Sequence, residues 1–261
     1  MKNTLGLVKI ADHNLGIEQK NQPTDITAQA PIRQDFWQAI DNSKFSRNLS
    51  EDSRIKTLNK LPISRLIKVL EQYSYVTKIH AQSLECVVNA IKPGKLKELL
   101  TEIWWEETGN GDPSQSHYNL LKDFLFGLNQ SQGGKMLENK IHPQIESLIK
   151  GYEQDLNTYS THVTVGMAGM GTECICGPIL EEIWAQTKVN QDLEHILPKL
   201  NLEFWEIHTG EVDHSHAERM RNAIDLEIAD NPTSASQVLQ GYQLSVKFWD
   251  DLLNLFVTLS L

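Results

Sequence analysis

Apolar residues recur every three or four positions along most of this chain. Leu66, Leu70, Tyr73, Val76 and His80 fall on one helical stripe, and the pattern extends to about Ile91. "RQDFWQAI" (33–40) predicts an earlier helix, and Pro93, tolerated in a first turn, opens another through Trp104 and Trp105. "TGNGDPSQ" (108–115) breaks the period, "HYNLLKDFLFGLN" resumes it, and "QSQGG" (130–134) breaks it again. Further helices are predicted at 140–160, 161–188, 190–229 and 233–259. Short alternating β-branched runs bounded by turn residues, the mark of a sheet, are not found. Neither is a repeat of solenoid length or a low-complexity linker. Residues 1–30, with "KNQPTDITAQAP", offer no periodic apolar face and read as a loose N-terminal arm. Residues 31–261 then make one all-α domain of about eight helices.

Composition fits that reading: 40% hydrophobic and 22% charged residues over 261 positions suit a soluble globular domain with a substantial core. No uninterrupted run of about 18 apolar residues is seen, so no membrane span is expected. "MKNTLGLVKIADHN" lacks the long apolar stretch and small-residue cleavage site of a secretory signal. Cys86, Cys174 and Cys176 do not form a disulfide framework, and a reducing cytoplasm is the simplest setting. A formal charge of −10 argues against nonspecific binding to nucleic acid or anionic lipid. The expected partner is a small-molecule substrate, and a homodimer is compatible with the sequence.

Chemistry concentrates in three places. "EIHTGEVDHSHAERM" (206–220) carries three histidines and several carboxylates. At about 100° per residue, two faces compete: His208 with Glu211 and His214, or His208 with Asp213 and His216, the latter set spread over about 140° of a regular helix. Asp213 and His216 are three apart and can share one ion. His208 to Asp213 is five, which one inserted residue, a π-bulge, would realign. Spacing alone leaves the choice of face open. "EIWWEETGNGDPSQSHYNLL" (102–121) ends one helix at Glu106 and Glu107 and starts another near His117. Asp112 is a predicted N-cap with Pro113 at the first helical position, which would fix where His117 points. Glu173 stands among small and apolar residues in "GMAGMGTECICGPILEEIW", where a buried carboxylate is costly without a partner.

Together these clusters resemble the heme-oxygenase-like dimetal oxidases, the CADD-like group within the TenA/PqqC/heme-oxygenase helical architecture. The resemblance rests on "EETG…SH" (106–117), Glu173 with Pro178 nearby, and "FWEIH…VDHSHA" (204–217), and covers roughly residues 35–255. It implies a heme-oxygenase-like helical bundle with Glu106, His117, Glu173, His208, Asp213 and His216 as both metal ligands and catalytic residues. Glu107 is the close alternative to Glu106, Glu173 is the implied bridging carboxylate, and His214 and Glu211 fall outside the set. The implied cofactor is two Fe2+ ions, with Mn a variant, suited to six mixed imidazole and carboxylate donors. Molecular oxygen is the implied co-substrate and an external reductant is needed. The implied reactions are oxidations of a small amine, amino acid or aliphatic acid by N-oxygenation or oxidative C–C cleavage. Synthesis of para-aminobenzoate from a protein tyrosine fits less well, since the approximate counterparts of the required tyrosines are Trp37 and Thr172. The segments before Asp213 and before His117 are longer than in CADD-like chains, by one and about four residues.

Four alternatives stand beside this. A TenA-like thiamin-salvage hydrolase needs a cysteine nucleophile, for which Cys174 and Cys176 are available. A PqqC-like cofactorless oxidase does not require the six ligands. A heme protein needs an axial histidine, such as His13 or His80. A non-catalytic all-α interaction protein would use the charged stretch as a solvated face. Trp104, Trp105, Phe124, Met167 and Met170 suggest an apolar pocket, although residues at this spacing more often form core.

Overall fold

The computed structural model describes residues 26–43, 49–135 and 137–260, with side chains for all of these except 26–30, 211–214 and 260. The described elements are helical, in the order α1 (Ile26–Asp41), α2 (Ser53–Lys56), α3 (Ile63–Ala90), α4 (Lys95–Glu107), α5 (His117–Ser131) and α6 (Pro143–Thr158). Then come α7 (Thr161–Thr164), a π-helical segment (Val165–Gly171), α8 (Thr172–Lys188), α9 (Glu203–His208), α10 (Glu211–Asp230) and α11 (Ser234–Ser260). The fold is therefore all-α, with eleven α-helical segments among the described residues rather than about eight. The added count comes from short turns and from one predicted helix that is broken. α1 begins at Ile26, inside the stretch expected to be a loose arm, and residues 1–25 lie outside the described residues. Pro93 stays outside α4, whose N-cap is Gly94.

α3 occupies the middle of the bundle and packs against α4, α5, α6 and α11. Its apolar stripe explains this: Leu66, Leu70, Tyr73, Val76, Leu84 and Val87 are all buried. Two buried polar residues on α3 tie down the segment ahead of α6. The Glu71 carboxylate accepts from the backbone N–H groups of Glu138 and Asn139, at 3.2 and 2.7 Å, and Gln72 bonds Lys140 and His142.

α11 crosses the π segment so closely that glycine is required on both sides. A Cβ at Gly241 would stand 1.9 Å from the Val163 carbonyl oxygen, and one at Gly166 would stand 2.1 Å from that of Val238. The small residues of "VGMAGMG" thus serve a backbone approach, and the widened turn delivers Thr172 and Glu173 at the start of α8. The apolar run of Thr161–Lys188 is, by length and composition, enough to cross a membrane, contrary to the expectation that no segment would be. Within the fold 78% of its most apolar window is buried, which is the condition of a core helix.

The helix predicted over 190–229 does not form as one piece. Turns at Gln191–Leu193 and Leu197–Lys199 precede α9, and Thr209 and Gly210 separate α9 from α10. The extra residue between His208 and Asp213 is absorbed by this helix end and not by a π-bulge, which occurs instead at Val165–Gly171. An aromatic cluster holds short α9 in place: Trp205 stacks on Trp184 at 4.9 Å, and Phe124 meets Trp205 edge-on at 5.6 Å.

Candidate metal centre

Glu106 and Glu107 are consecutive residues in the last turn of α4, so their side chains leave the helix about 100° apart. Glu107 points inward and is buried; the Glu106 side chain is 28% exposed. Beyond them the chain turns through Gly109 and Gly111, both at φ +91°, where a Cβ on Gly109 would meet the Asp112 carbonyl oxygen at 2.2 Å. Asp112 then accepts from the Ser114 N–H at 2.9 Å, Pro113 opens a short 3-10 turn, and Ser116 caps α5. The predicted cap at Asp112 thus forms, one turn ahead of the helix itself. His117 is the first residue of α5, and its Nδ1 lies 2.9 Å from Glu107 Oε1.

His208 is the last residue of α9 and completes a buried triad. Glu107, His117 and His208 each offer a donor atom, all within 4.8 Å of one another. His208 Nδ1 is 2.7 Å from the Phe204 carbonyl oxygen. A carbonyl only accepts, so Nδ1 carries the proton and Nε2 keeps its lone pair. Burial, with His117 close by, pushes the His208 pKa down to about 3, which leaves a neutral ring. For Glu107, burial acts upward, but His117, by charge and hydrogen bond, together with His80 and His208, carries its pKa well below the usual carboxylate range.

Glu173 and His216 form a second group next to the first. His216 Nδ1 lies 3.7 Å from Glu173 Oε2, and His216 Nε2 lies 2.6 Å from Glu106 Oε2. The Glu106 carboxylate oxygen accepts from Nε2–H, which leaves Nδ1 as the lone-pair nitrogen, directed toward Glu173. That buried Nδ1 has no hydrogen-bond partner among the described residues. A buried lone pair and a buried carboxylate held just beyond hydrogen-bond distance are what a cation between them would complete. The residues therefore fit a metal on the chemistry of their donors.

The six residues singled out by the sequence distribute as follows. His117 and His208 join the triad, Glu173 and His216 pair beside it, and Glu106 lies behind His216, while its alternative Glu107 takes the place in the triad. The side chain of Asp213, like those of Glu211 and His214, lies outside the described residues. His80, proposed from sequence only as a heme ligand, stands between the two groups. Its Nε2 is 3.1 Å from Glu173 Oε1 and 3.9 Å from Glu107 Oε1. Its presence on the otherwise apolar stripe of α3 was the signal that could have found it. His13 lies outside the described residues.

The centre separates two spaces. On one side is an internal cavity of about 30 Å³, walled by Glu107, Glu173, His80 and His208 and by Tyr73, Tyr152, Phe248, Trp249 and Cys176. It is large enough for about two water-sized molecules and far too small for a porphyrin. On the other side a surface cleft is lined by Glu106, His117, His216, Gln115 and Arg219, with no residue in common with the cavity. The aromatic wall is not the one expected from sequence. Phe124, Met167 and Met170 are core, and Trp105 is 49% exposed, whereas the cavity aromatics come from α3, α6 and α11.

Residues 67–250 match the sequence family described as iron-containing redox enzymes. In fold, the chain is similar to a CADD-like protein of unknown function from Nostoc punctiforme PCC 73102. That likeness has a TM-score of 0.69 at 17% identity and covers 89% of this chain and 98% of the other. It is similar also to a TenA homolog from Pseudomonas syringae pv. tomato, with a TM-score of 0.63, 12% identity, and coverage of 91% and 97%. A domain of unknown function with a heme oxygenase-like fold from Shewanella denitrificans matches with a TM-score of 0.57 at 17% identity, covering 89% and 91%. No curated protein matches the sequence.

Proposed function

Because the chain belongs to the family of iron-containing redox enzymes, we propose that it is a non-heme oxidase or oxygenase with two irons. Its substrate would be a small amine, amino acid or aliphatic acid, oxidised with O2 and an external reductant. The observation that carries this is the buried Glu107–His117–His208 triad adjoining Glu173 and His216. Glu107, His117 and His208 would hold one metal, and Glu173, His216 and Asp213 the other, with Glu173 as the shared carboxylate. Iron suits this mixed donor set, with manganese as the alternative. When bound, the metal supplies the electrons and the open coordination positions that make O2 reactive.

The chain's own groups have definite tasks. Phe204 fixes the His208 tautomer and Glu106 fixes that of His216, so each ring presents a lone pair. Glu107 stays ionised through the acid range in which free carboxylates protonate. Burial raises the pKa of Tyr73 and of Tyr152, so both phenols remain O–H donors able to orient a polar group of the substrate. Phe248 and Trp249 provide an apolar and quadrupolar wall for the small end of a substrate, a methyl or ammonium group, since a cavity of about 30 Å³ does not take the whole molecule. Trp37 bonds Asp225 and stacks under Arg221, away from the cavity, and Thr172 has no phenol; neither supplies the tyrosine that para-aminobenzoate synthesis would use. We further propose a cytoplasmic protein acting on a small molecule, with neither nucleic acid nor membrane as partner.

Anaerobic loading with Fe(II), metal analysis and then exposure to O2 test this reading. Uptake of about two irons and consumption of O2 are expected. Absence of uptake, or uptake indifferent to Glu107→Ala and His208→Ala, overturns it. A second reading, a TenA-like hydrolase, is favoured by Cys176, which lines the cavity, while Cys174 does not and has its thiol pKa pushed up to about 12 by burial. Metal-independent hydrolysis of an aminopyrimidine, abolished by Cys176→Ala, would support that second reading.

A further inference from the structure

We infer that His80 is a seventh protein ligand of this centre, one that joins its two halves; the inference rests on the metal-centre reading above. Two donors bound to one ion at about 2.0–2.2 Å each, at angles of about 90–110°, stand about 3.0–3.5 Å apart, and at most about 4.2 Å. His80 Nε2 lies 3.1 Å from Glu173 Oε1, inside that range, and 3.9 Å from Glu107 Oε1, beyond the range but under the maximum. As a hydrogen-bond donor, Nε2–H reaches Glu173 and stops short of Glu107. As a lone-pair donor to a cation, the same nitrogen lies within ligand-to-ligand reach of a carboxylate oxygen from each half of the centre.

Charge leads to the same assignment. Glu107 and Glu173 are buried, and their ion-pair partners among the described residues are all imidazoles: His80 and His117 for the first, His80 and His216 for the second. No lysine or arginine of the described residues pairs with either carboxylate. A pair of buried carboxylates with no lysine or arginine partner among the described residues is a setting for a bound cation, and His80 lies between the two. α3 explains why the residue is there. His80 continues the inward stripe of Tyr73 and Val76, so the centre helix of the bundle directs it at the cavity wall, and its Nδ1 is buried.

Cobalt(II), a paramagnetic stand-in for iron, distinguishes a ligand from a neighbour. In the full-length Co(II)-loaded protein, each coordinated imidazole contributes a strongly hyperfine-shifted, exchangeable N–H signal to the proton NMR spectrum. Both His80→Ala and His80→Gln should show one such signal fewer than the unmodified protein, and the Co(II) dissociation constant should rise about tenfold or more. Glutamine keeps an N–H donor for Glu173, so a residue that only positions Glu173 would leave the count unchanged in His80→Gln. An unchanged count with circular dichroism like that of the unmodified protein overturns the role of His80. Failure of the unmodified protein to bind Co(II) or Fe(II) instead overturns the metal-centre reading itself.

Discussion

Glu106 and Glu107 differ by one position and by about 100° of helix rotation, and that angle separates their tasks. Glu107 faces two imidazoles in the interior, while Glu106 braces His216 from the cleft side. Glu107→Ala should therefore abolish metal loading at the triad. Glu106→Ala should weaken metal affinity by about 10–100-fold, the usual effect of removing the partner of a ligating histidine. Isothermal titration with Fe(II) under nitrogen ranks the two; a larger loss for Glu106→Ala would reverse the assignment. Residue identity showed the pair, but the sequence could not phase it, because a helix's last turn is oriented by the cap beyond it and by what packs on it. His80 was legible only as a polar residue on an apolar stripe, since its partners lie 27 and 93 positions away.

At the scale of elements, loops and helix ends aim the ligands. Gly109 adopts a φ open to glycine and has no room for a Cβ. Gly109→Ala should destabilise the protein by about 1–3 kcal/mol and shift His117 relative to Glu107. A urea denaturation curve within about 0.5 kcal/mol of the unmodified protein would contradict this. Gly241→Ala sets a methyl against the Val163 carbonyl and should lower stability by about 1–3 kcal/mol or more, with a matching fall in melting temperature. The helix break at 108–115 was readable because Gly, Asp and Pro act locally. The break at Thr209–Gly210 was weaker in the sequence. There the aromatic cluster holds α9 against Trp184 and Phe124, and Gly210 is the N-cap of α10. The π segment had no periodic signature, because its cause is the close passage of α11.

For the whole molecule, the buried site makes the metal-free fold sensitive to acid. The His208 pKa falls from 6.5 to about 3 on folding, and that of Glu107 also falls. Between those limits the unfolded chain binds protons that the folded chain refuses, so stability is fully present above about pH 6.5 and declines as pH drops toward 3. The loss should reach a few kcal/mol, since each tenfold change in proton affinity is worth about 1.4 kcal/mol. Chemical denaturation of metal-free protein at pH 7.5, 5.5 and 4.5 measures it, and midpoints that do not fall with pH would refute the linkage. Saturating metal should offset the loss near neutrality, since a ligand at about 100 times its Kd adds roughly 2.7 kcal/mol. A melting temperature unmoved by Fe(II) would count against a folded-state site.

The sequence by itself determined the helical class, the capped turn before His117 and the small set of histidines and carboxylates that the fold gathers. These follow from local chemistry: a period of about 3.6, residues that terminate helices, and side chains able to donate lone pairs. Tertiary structure alone decided that Glu107 and not Glu106 joins the triad, that His80 stands between the carboxylates, and that tyrosines and tryptophan from α3, α6 and α11 wall the cavity. A helical period says which residues turn inward, but which inward residues meet depends on how distant helices cross. Here that crossing is set by a backbone approach that three glycines permit, Gly166 and Gly171 against α11 and Gly241 against the π segment.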